Sequence, residues 1–376
     1  MTADSAPPPP ADPSQVSNEE LSIDLCGPDD RDEQARLFNA CFKKTLAGDA
    51  LRWRYDQSPH GSSVSIVARP PVGDAICGYA CSPRQALVRG DEATLAPVGQ
   101  TGDVMTHPDW RKRGIFSGLD KRCMEETARL GWPAVFGLPN RRSAHIFLKI
   151  GWDQVGTVRP WTFYFRADAD ARALRAREGR KYALKLVWDR RGCASRRKAL
   201  RSQSQGYRVE RLERFPESVR ELARAVEARF DFMVRRDADY LNWRFVDTTA
   251  KLHQAWGVYD ASGALAGYAV VQQPDASGVG YVVDLLAPEP GAEAAAMGAA
   301  LDALEDQGAL AAQATAIDGS AWSAILERAG FLQPKPDNHL IVIRFLHQPE
   351  HPLAGPTADA SRWYVTDGDR DDETMG

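Results

Sequence analysis

The chain has 376 residues, 43% hydrophobic and 26% charged, with a formal net charge of −4. That length allows two or three domains, and the composition is that of a globular protein. The charge gives no global field toward nucleic acid or membrane, and no apolar run reaches the ~18–20 residues of a bilayer span. The N-terminus has neither a basic stretch nor an apolar core of the secretory type, which predicts a cytoplasmic protein. The six cysteines are scattered. Only Cys77 and Cys81 are close, at a spacing that places both on one face of a strand, so they are read as buried thiols and no metal site is expected.

Residues 1–20 are rich in Pro, Ser and Ala and are expected to be a disordered tail. The first folded stretch, 21–170, opens with a helix over Glu33–Lys44 and a Leu51-Arg52-Trp53-Arg54-Tyr55 segment. Strands follow at Ser63–Ala68, Ile76–Cys81 and Gly99–Thr106. Next come a long helix from Ile115, a short strand at Ala134–Leu138 and a helix over Arg142–Ile150 that stops at Gly151. Residues 171–205 carry twelve Arg or Lys against Glu178 and Asp189, and Tyr182, Leu184, Leu186, Val187 and Trp188 among them predict that part is a helix with one buried side. Two readings stand for this stretch: a basic solvated linker, or a docking surface for an anionic substrate or RNA phosphates.

Residues 206–346 repeat the first stretch. Leu241-Asn242-Trp243-Arg244-Phe245 matches 51–55, and Leu265-Ala266-Gly267-Tyr268-Ala269 matches 76–80. Asp284-Leu285 matches Asp103-Val104, and Gly330-Phe331 matches Gly151-Trp152. Four matches in register, about 180–190 residues apart, mark a duplicated domain. The paired Trp-Arg dipeptides are read as packing elements. Residues 347–376 are expected to form an acidic, solvated tail. Asp367, Asp369 and Asp371 are spaced as in a calcium loop but lack its glycine and distal glutamate. Each half is predicted to be α/β, a mixed twisted sheet flanked by helices.

The segment with the clearest chemistry runs from Gly102 to Leu119. A strand ends at Thr106, Pro108 breaks the ladder, and Arg111-Lys112-Arg113-Gly114 leads directly into a helix. Unpaired amides and the dipole at a helix N-terminus suit a pyrophosphate, and the arginines add formal charge. An ordinary strand–turn–helix with exposed arginines is the bland alternative.

Together with Asn140-x-x-Ser143-x-x-x-Phe147-x-x-x-Gly151-Trp152 downstream, this segment resembles the acetyl-CoA motifs of the GNAT superfamily. Arg111 and Gly114 fit the motif; Phe116 stands where the family has Gly or Ala, and Phe147 where it has its frequent acid, Tyr. The resemblance covers about 25–165 and, more weakly, 207–346. It implies two tandem GNAT-like domains. Acetyl-CoA or another acyl-CoA would be the co-substrate, held by Val104, Met105, Thr106, Arg111, Arg113, Gly114, Ile115, Phe116, Ser117, Asn140 and Ser143. A small-molecule amine would attack the thioester directly. Asp103 and His145 are the catalytic candidates, with His107 a further one; each also has a structural reading as a strand-end partner or a surface histidine. The second half has Ala287-Pro-Glu-Pro-Gly-Ala-Glu293 in place of the basic turn, and is expected not to bind CoA. Two other readings remain: an aminoacyl-tRNA-dependent transferase, or a non-catalytic binding module.

Overall fold

The computed structural model describes residues 12–42, 45–89, 93–177, 179–333 and 340–370. The first half contributes β1 (Ser22–Leu25), α1 (Arg31–Cys41), α2 (Gly48–Asp56), β2 (Val64–Arg69), β3 (Cys77–Arg89) and β4 (Ala93–Thr106). It continues with α3 (Ile115–Arg129), β5 (Ala134–Gly137), α4 (Arg141–Lys149) and β6 (Asp153–Tyr164). Two helices, α5 (Ala169–Ala176) and α6 (Arg180–Gln203), lead to β7 (Arg208–Leu212), α7 (Val219–Glu227), β8 (Phe232–Val234) and α8 (Ala238–Leu241). The second half then has β9 (His253–Tyr259), β10 (Leu265–Gln272), β11 (Val279–Leu286), α9 (Pro290–Asp306) and β12 (Ala311–Ile317). It closes with α10 (Ala321–Ala329), β13 (Leu340–Leu346) and β14 (Trp363–Tyr364).

The repeat is visible in the sheet, in the order β1-β2-β3-β4-β5-β13-β6-β12-β11-β10-β9-β7. The last strand of each half sits against the fifth strand of the other. β13 pairs antiparallel with β5 from Gly137–Ile343 to Ala134–Leu346. β6 pairs antiparallel with β12 from Tyr164–Ala311 to Val158–Ile317. β13 and β6 pair with each other between them, so the halves exchange strands across a pseudo-two-fold axis. The boundaries 21–170 and 206–346 mark sequence repeats, but the two repeats share one sheet.

The repeated tryptophans meet near that axis. Trp53 and Trp243 stack with centroids 4.8 Å apart at 18°. Each indole N–H donates to the other's backbone carbonyl at 3.2 Å. Both residues are buried, so the dipeptide repeat is the packing element read from sequence. The largest core cluster draws on both halves, including Trp53 and Phe136 with Tyr268 and Leu301.

Three segment expectations need correction. Residues 1–11 lie outside the described residues, but 12–20 carry two short 3₁₀ turns rather than a disordered tail. The 171–205 linker is α5 and α6, and α6 has the expected buried side, but that side is Leu186, Cys193 and Leu200 at seven-residue spacing, while Leu184 and Trp188 face outward. The acidic tail is folded in as far as it is described. Trp363, Tyr364, Asp367 and Asp369 are all buried, because Arg236 and the sheet supply partners for the carboxylates. Asp371 and the residues after it lie outside the described residues.

Candidate functional site

β4 and β5 pair in parallel only at Gly99–Val135 and Gln100–Phe136. Past that point the strands part, leaving a cleft of about 1070 Å³. One wall is Val104 and Thr106 of β4; a second is the turn from Arg111 to Ser117; the third is Asn140, Ser143, Ile146 and Ile150 at α4. Cys41 and Phe42, after α1, close one side.

The turn is shaped by Gly114, which caps α3 with φ 77°, a left-handed conformation that glycine adopts without a side-chain clash. A Cβ built there meets nothing within 4 Å, so the backbone faces open space. The Ser117 amide bonds back to Gly114 O at 3.2 Å. Among the described residues, the Gly114, Ile115 and Phe116 amides have no acceptor. Unpaired donors at the positive end of a fifteen-residue helix form an anion site.

The sequence-derived residues separate on inspection. Val104, Thr106, Arg111, Gly114, Ile115, Phe116, Ser117 and Ser143 all line the cleft, and exposed His145 stands on its rim. Met105 does not; it points to the opposite face of the sheet and is buried with Leu37 and Phe38. Asp103 is also turned away. Its carboxylate takes a hydrogen bond from Arg54 at 2.5 Å and another from the Tyr55 hydroxyl. It is buried, does not border the cleft, and has φ 47° at an irregularity in the β3–β4 register. A carboxylate held by a guanidinium and a phenol in the interior is a structural ion pair, not a base facing substrate.

Arg113 lines the cleft, but its guanidinium donates to Pro13 O at 2.6 Å and to Val16 O, and lies 5.0 Å from the Trp110 ring centroid. Asn18 returns a bond to Arg113 O at 2.8 Å. Arg113 therefore fastens the N-terminal segment to the turn; Arg111, whose Nε donates to Thr106 O at 3.1 Å, and Lys112 are the exposed cations of the turn that line the cleft. Asn140 borders the cleft, but its side-chain oxygen caps α4, accepting from the Arg142 and Ser143 amides at 2.9 and 3.1 Å. His107 donates its amide to Ile76 O at 2.8 Å and is not part of the cleft wall. Arg142, Ile146, Lys149 and Ile150 were missed in the sequence. Their three- and four-residue spacing after Asn140 marks a single helix face and would have found them.

Phe116 and Phe147 form a T-shaped pair at 5.3 Å, with Tyr79 and Trp152 around them. Below them lies a buried polar chain: Thr101 donates to Tyr79 OH at 2.6 Å, and Trp152 Nε1 donates to Asp120 at 3.3 Å. Asp120 Oδ1 is left without a partner. Burial pushes the Asp120 carboxyl up to about 6. A carboxyl whose native pKa is raised holds its proton in the folded state between pH ~4 and ~6. Its contribution is present below the unfolded value and lost as pH rises through the folded one. Asp120→Asn should therefore raise the melting temperature at pH 7 and leave it nearly unchanged at pH 4, with a gain of up to about 3 kcal/mol. Equal shifts at both pH values would show that burial does not raise the Asp120 carboxyl.

The second half has a corresponding gap between β11 and β12, which pair only from Val279–Ala311 to Tyr281–Gln313. The C-terminal segment fills it. Asp367 accepts the Thr315 amide at 2.6 Å and the Thr315 hydroxyl, and Thr366 donates to Asp284 at 2.8 Å. The Tyr364 hydroxyl bonds Leu285 O. At the start of α9, a Cβ on Gly291 would lie 2.7 Å from the Tyr207 ring, and Glu293 sits in the first turn, paired with Arg328. One gap is open and cationic; its counterpart is plugged and acidic.

A parallel strand pair that parts beside an uncapped helix N-terminus, on a twisted mixed sheet, defines an acyltransferase-type fold. Residues 22–155 match the acetyltransferase (GNAT) domain family. No curated protein matches the chain. Similar solved structures include a probable N-acyltransferase from Enterococcus faecalis V583 (12% identity over 87% of this chain and 72% of that one, TM-score 0.58). A tandem GNAT protein from the clavulanic acid biosynthesis pathway aligns at 14% identity over 88% and 100%, TM-score 0.55. Saccharomyces cerevisiae N-myristoyltransferase with bound myristoyl-CoA aligns at 13% over 92% and 85%, TM-score 0.57. Residues 22–155 thus match the GNAT domain model, and the whole chain has the tandem GNAT fold.

Proposed function

We propose that the protein is an acyl-CoA-dependent N-acyltransferase, acetyl-CoA being the simplest donor, that acts on a small-molecule amine in the cytoplasm. The observation that carries the reading is the contrast between the two gaps: only the first keeps free helix-terminal amides over open space. In this reading the Gly114, Ile115 and Phe116 amides, with Arg111, hold the pyrophosphate. Val104 and Thr106 line the pantetheine arm. Asn140, through the amide its cap leaves over, and Ser143 border it from α4.

The chemistry asked of the chain is modest. A neutral amine attacks the thioester carbonyl, the C–S bond breaks, and the thiolate takes a proton. Positioning of the two reactants is the main contribution. A thiol pKa of ~8.5 makes the thiolate a tolerable leaving group, so a site with Phe147 in place of an acid remains competent. With Asp103 committed to Arg54 and Tyr55, His145 on the rim is the side chain offered to accept the amine proton, directly or through water.

The test is acetyl-CoA titration by calorimetry, followed by turnover over a broad amine panel. Arg111→Glu should weaken acetyl-CoA binding at least about tenfold, since it exchanges an attraction for a repulsion within a few ångströms of a diphosphate. Glu293→Ala should leave it unchanged. An Arg111→Glu affinity within about twofold of wild type would remove the pyrophosphate from this turn. Binding without transfer to any amine would favour the binding-module reading.

A further inference from the structure

We propose that the outward face of α6 docks on the surface of an anionic lipid bilayer. Leu184 is 84% exposed and Trp188 71% exposed, more than any other large apolar side chain among the described residues. They stand at i and i+4, on one face of the helix. Lys181, Lys185 and Arg191, all exposed, flank them, and the Arg191 guanidinium lies 5.3 Å from the Trp188 ring centroid. The only acid on the helix, Asp189, is paired with Arg175 at 3.0 Å. The opposite face is already used, with Leu186, Cys193 and Leu200 buried.

The chain-wide charge of −4 argues against a membrane partner for the molecule as a whole, but this face is locally cationic. A tryptophan and a leucine surrounded by lysine and arginine match the two layers of a bilayer surface. The indole and the isobutyl group enter the headgroup–acyl boundary, while the cations stay level with the phosphates. Each cation near an anionic surface adds to the attraction, and none needs to leave water. Nucleic acid would satisfy the cations but leaves Leu184 exposed. Docking of this kind is peripheral and reversible; no helix of the described residues is long and apolar enough to cross a membrane. α6 is separate from the cleft at α3 and α4, so attachment and acyl transfer can be measured independently.

Co-sedimentation of the full chain with vesicles tests this. Vesicles of phosphatidylcholine mixed with phosphatidylglycerol should bind it at least about tenfold better than phosphatidylcholine alone, and high salt should release it. Leu184→Ser with Trp188→Ser should cut binding about tenfold, with no change in melting temperature, because both side chains are exposed. Lys181→Glu with Lys185→Glu should act in the same direction. Equal binding to neutral and anionic vesicles, unaltered binding by the double serine variant, or no vesicle binding would each overturn the proposal. So would binding to an RNA oligomer that is tighter than to vesicles and indifferent to Leu184→Ser.

Discussion

A fragment ending at Arg177 is expected not to fold alone, although it contains every residue of the open cleft. The reason is the exchanged strands. Without β13, β5 loses its partner from Gly137 to Ala134, and β6 keeps neither β13 nor β12. The fragment would also expose Trp53, whose stacking partner and carbonyl acceptor both belong to Trp243. Ile341 and Ile343 leave the core under α3. A fully buried side chain of this size contributes about 1.5–3 kcal/mol, and several are lost at once from a fold only ~5–15 kcal/mol stable. The full chain should unfold in one transition, and the fragment should lack near-ultraviolet circular dichroism and dispersed amide resonances. A cooperative melt from the fragment, or two well-separated melts in the full chain, would mean that the exchange does not bind the halves into one unit.

The cleft was legible because its determinants are local. A strand, a proline break, basic residues, a glycine and a helix start all lie within Gly102–Leu119, and helix-end physics acts over the same few residues. The repeat was legible because duplication leaves a register. Long-range partners were not. Arg113 reads as a phosphate ligand until Pro13 and Val16, about 100 residues away, are seen to take its donors. Asp103 reads as a base until Arg54 and Tyr55 are seen to enclose it. The strand exchange left no trace either, because β6 and β13 have the same apolar pattern whichever neighbour they choose. Within the basic stretch a helix with one buried side was legible from its apolar residues, but not which of them face inward: Leu186, Cys193 and Leu200 are buried at seven-residue spacing, whereas Leu184 and Trp188 point outward.

Asp369→Ala should cost about 3 kcal/mol of stability, a large effect for a carboxylate only seven residues from the chain's end. Asp369 lies 2.6 Å from Arg236, and both side chains are 1% exposed. Removing the carboxylate leaves a buried guanidinium with Asp284 at 3.3 Å as its remaining acidic partner in that arrangement. It also removes the acceptor for the Thr366 amide, which helps hold the segment that fills the second gap. Urea unfolding should show a lower midpoint with an unchanged slope, while exposed Glu350→Ala should fall within about 0.5 kcal/mol of wild type. A loss below ~1 kcal/mol for Asp369→Ala would mean that solvent reaches Arg236 and that the plug is loose. Loosening the plug should not create a second donor site. Tyr207 still covers the start of α9, and the first turn of that helix still carries Glu293 and no cation. Acetyl-CoA should therefore bind the variant with the same single-site stoichiometry as the wild type, which separates what the C-terminal segment does for stability from what the sequence of the second half has already lost.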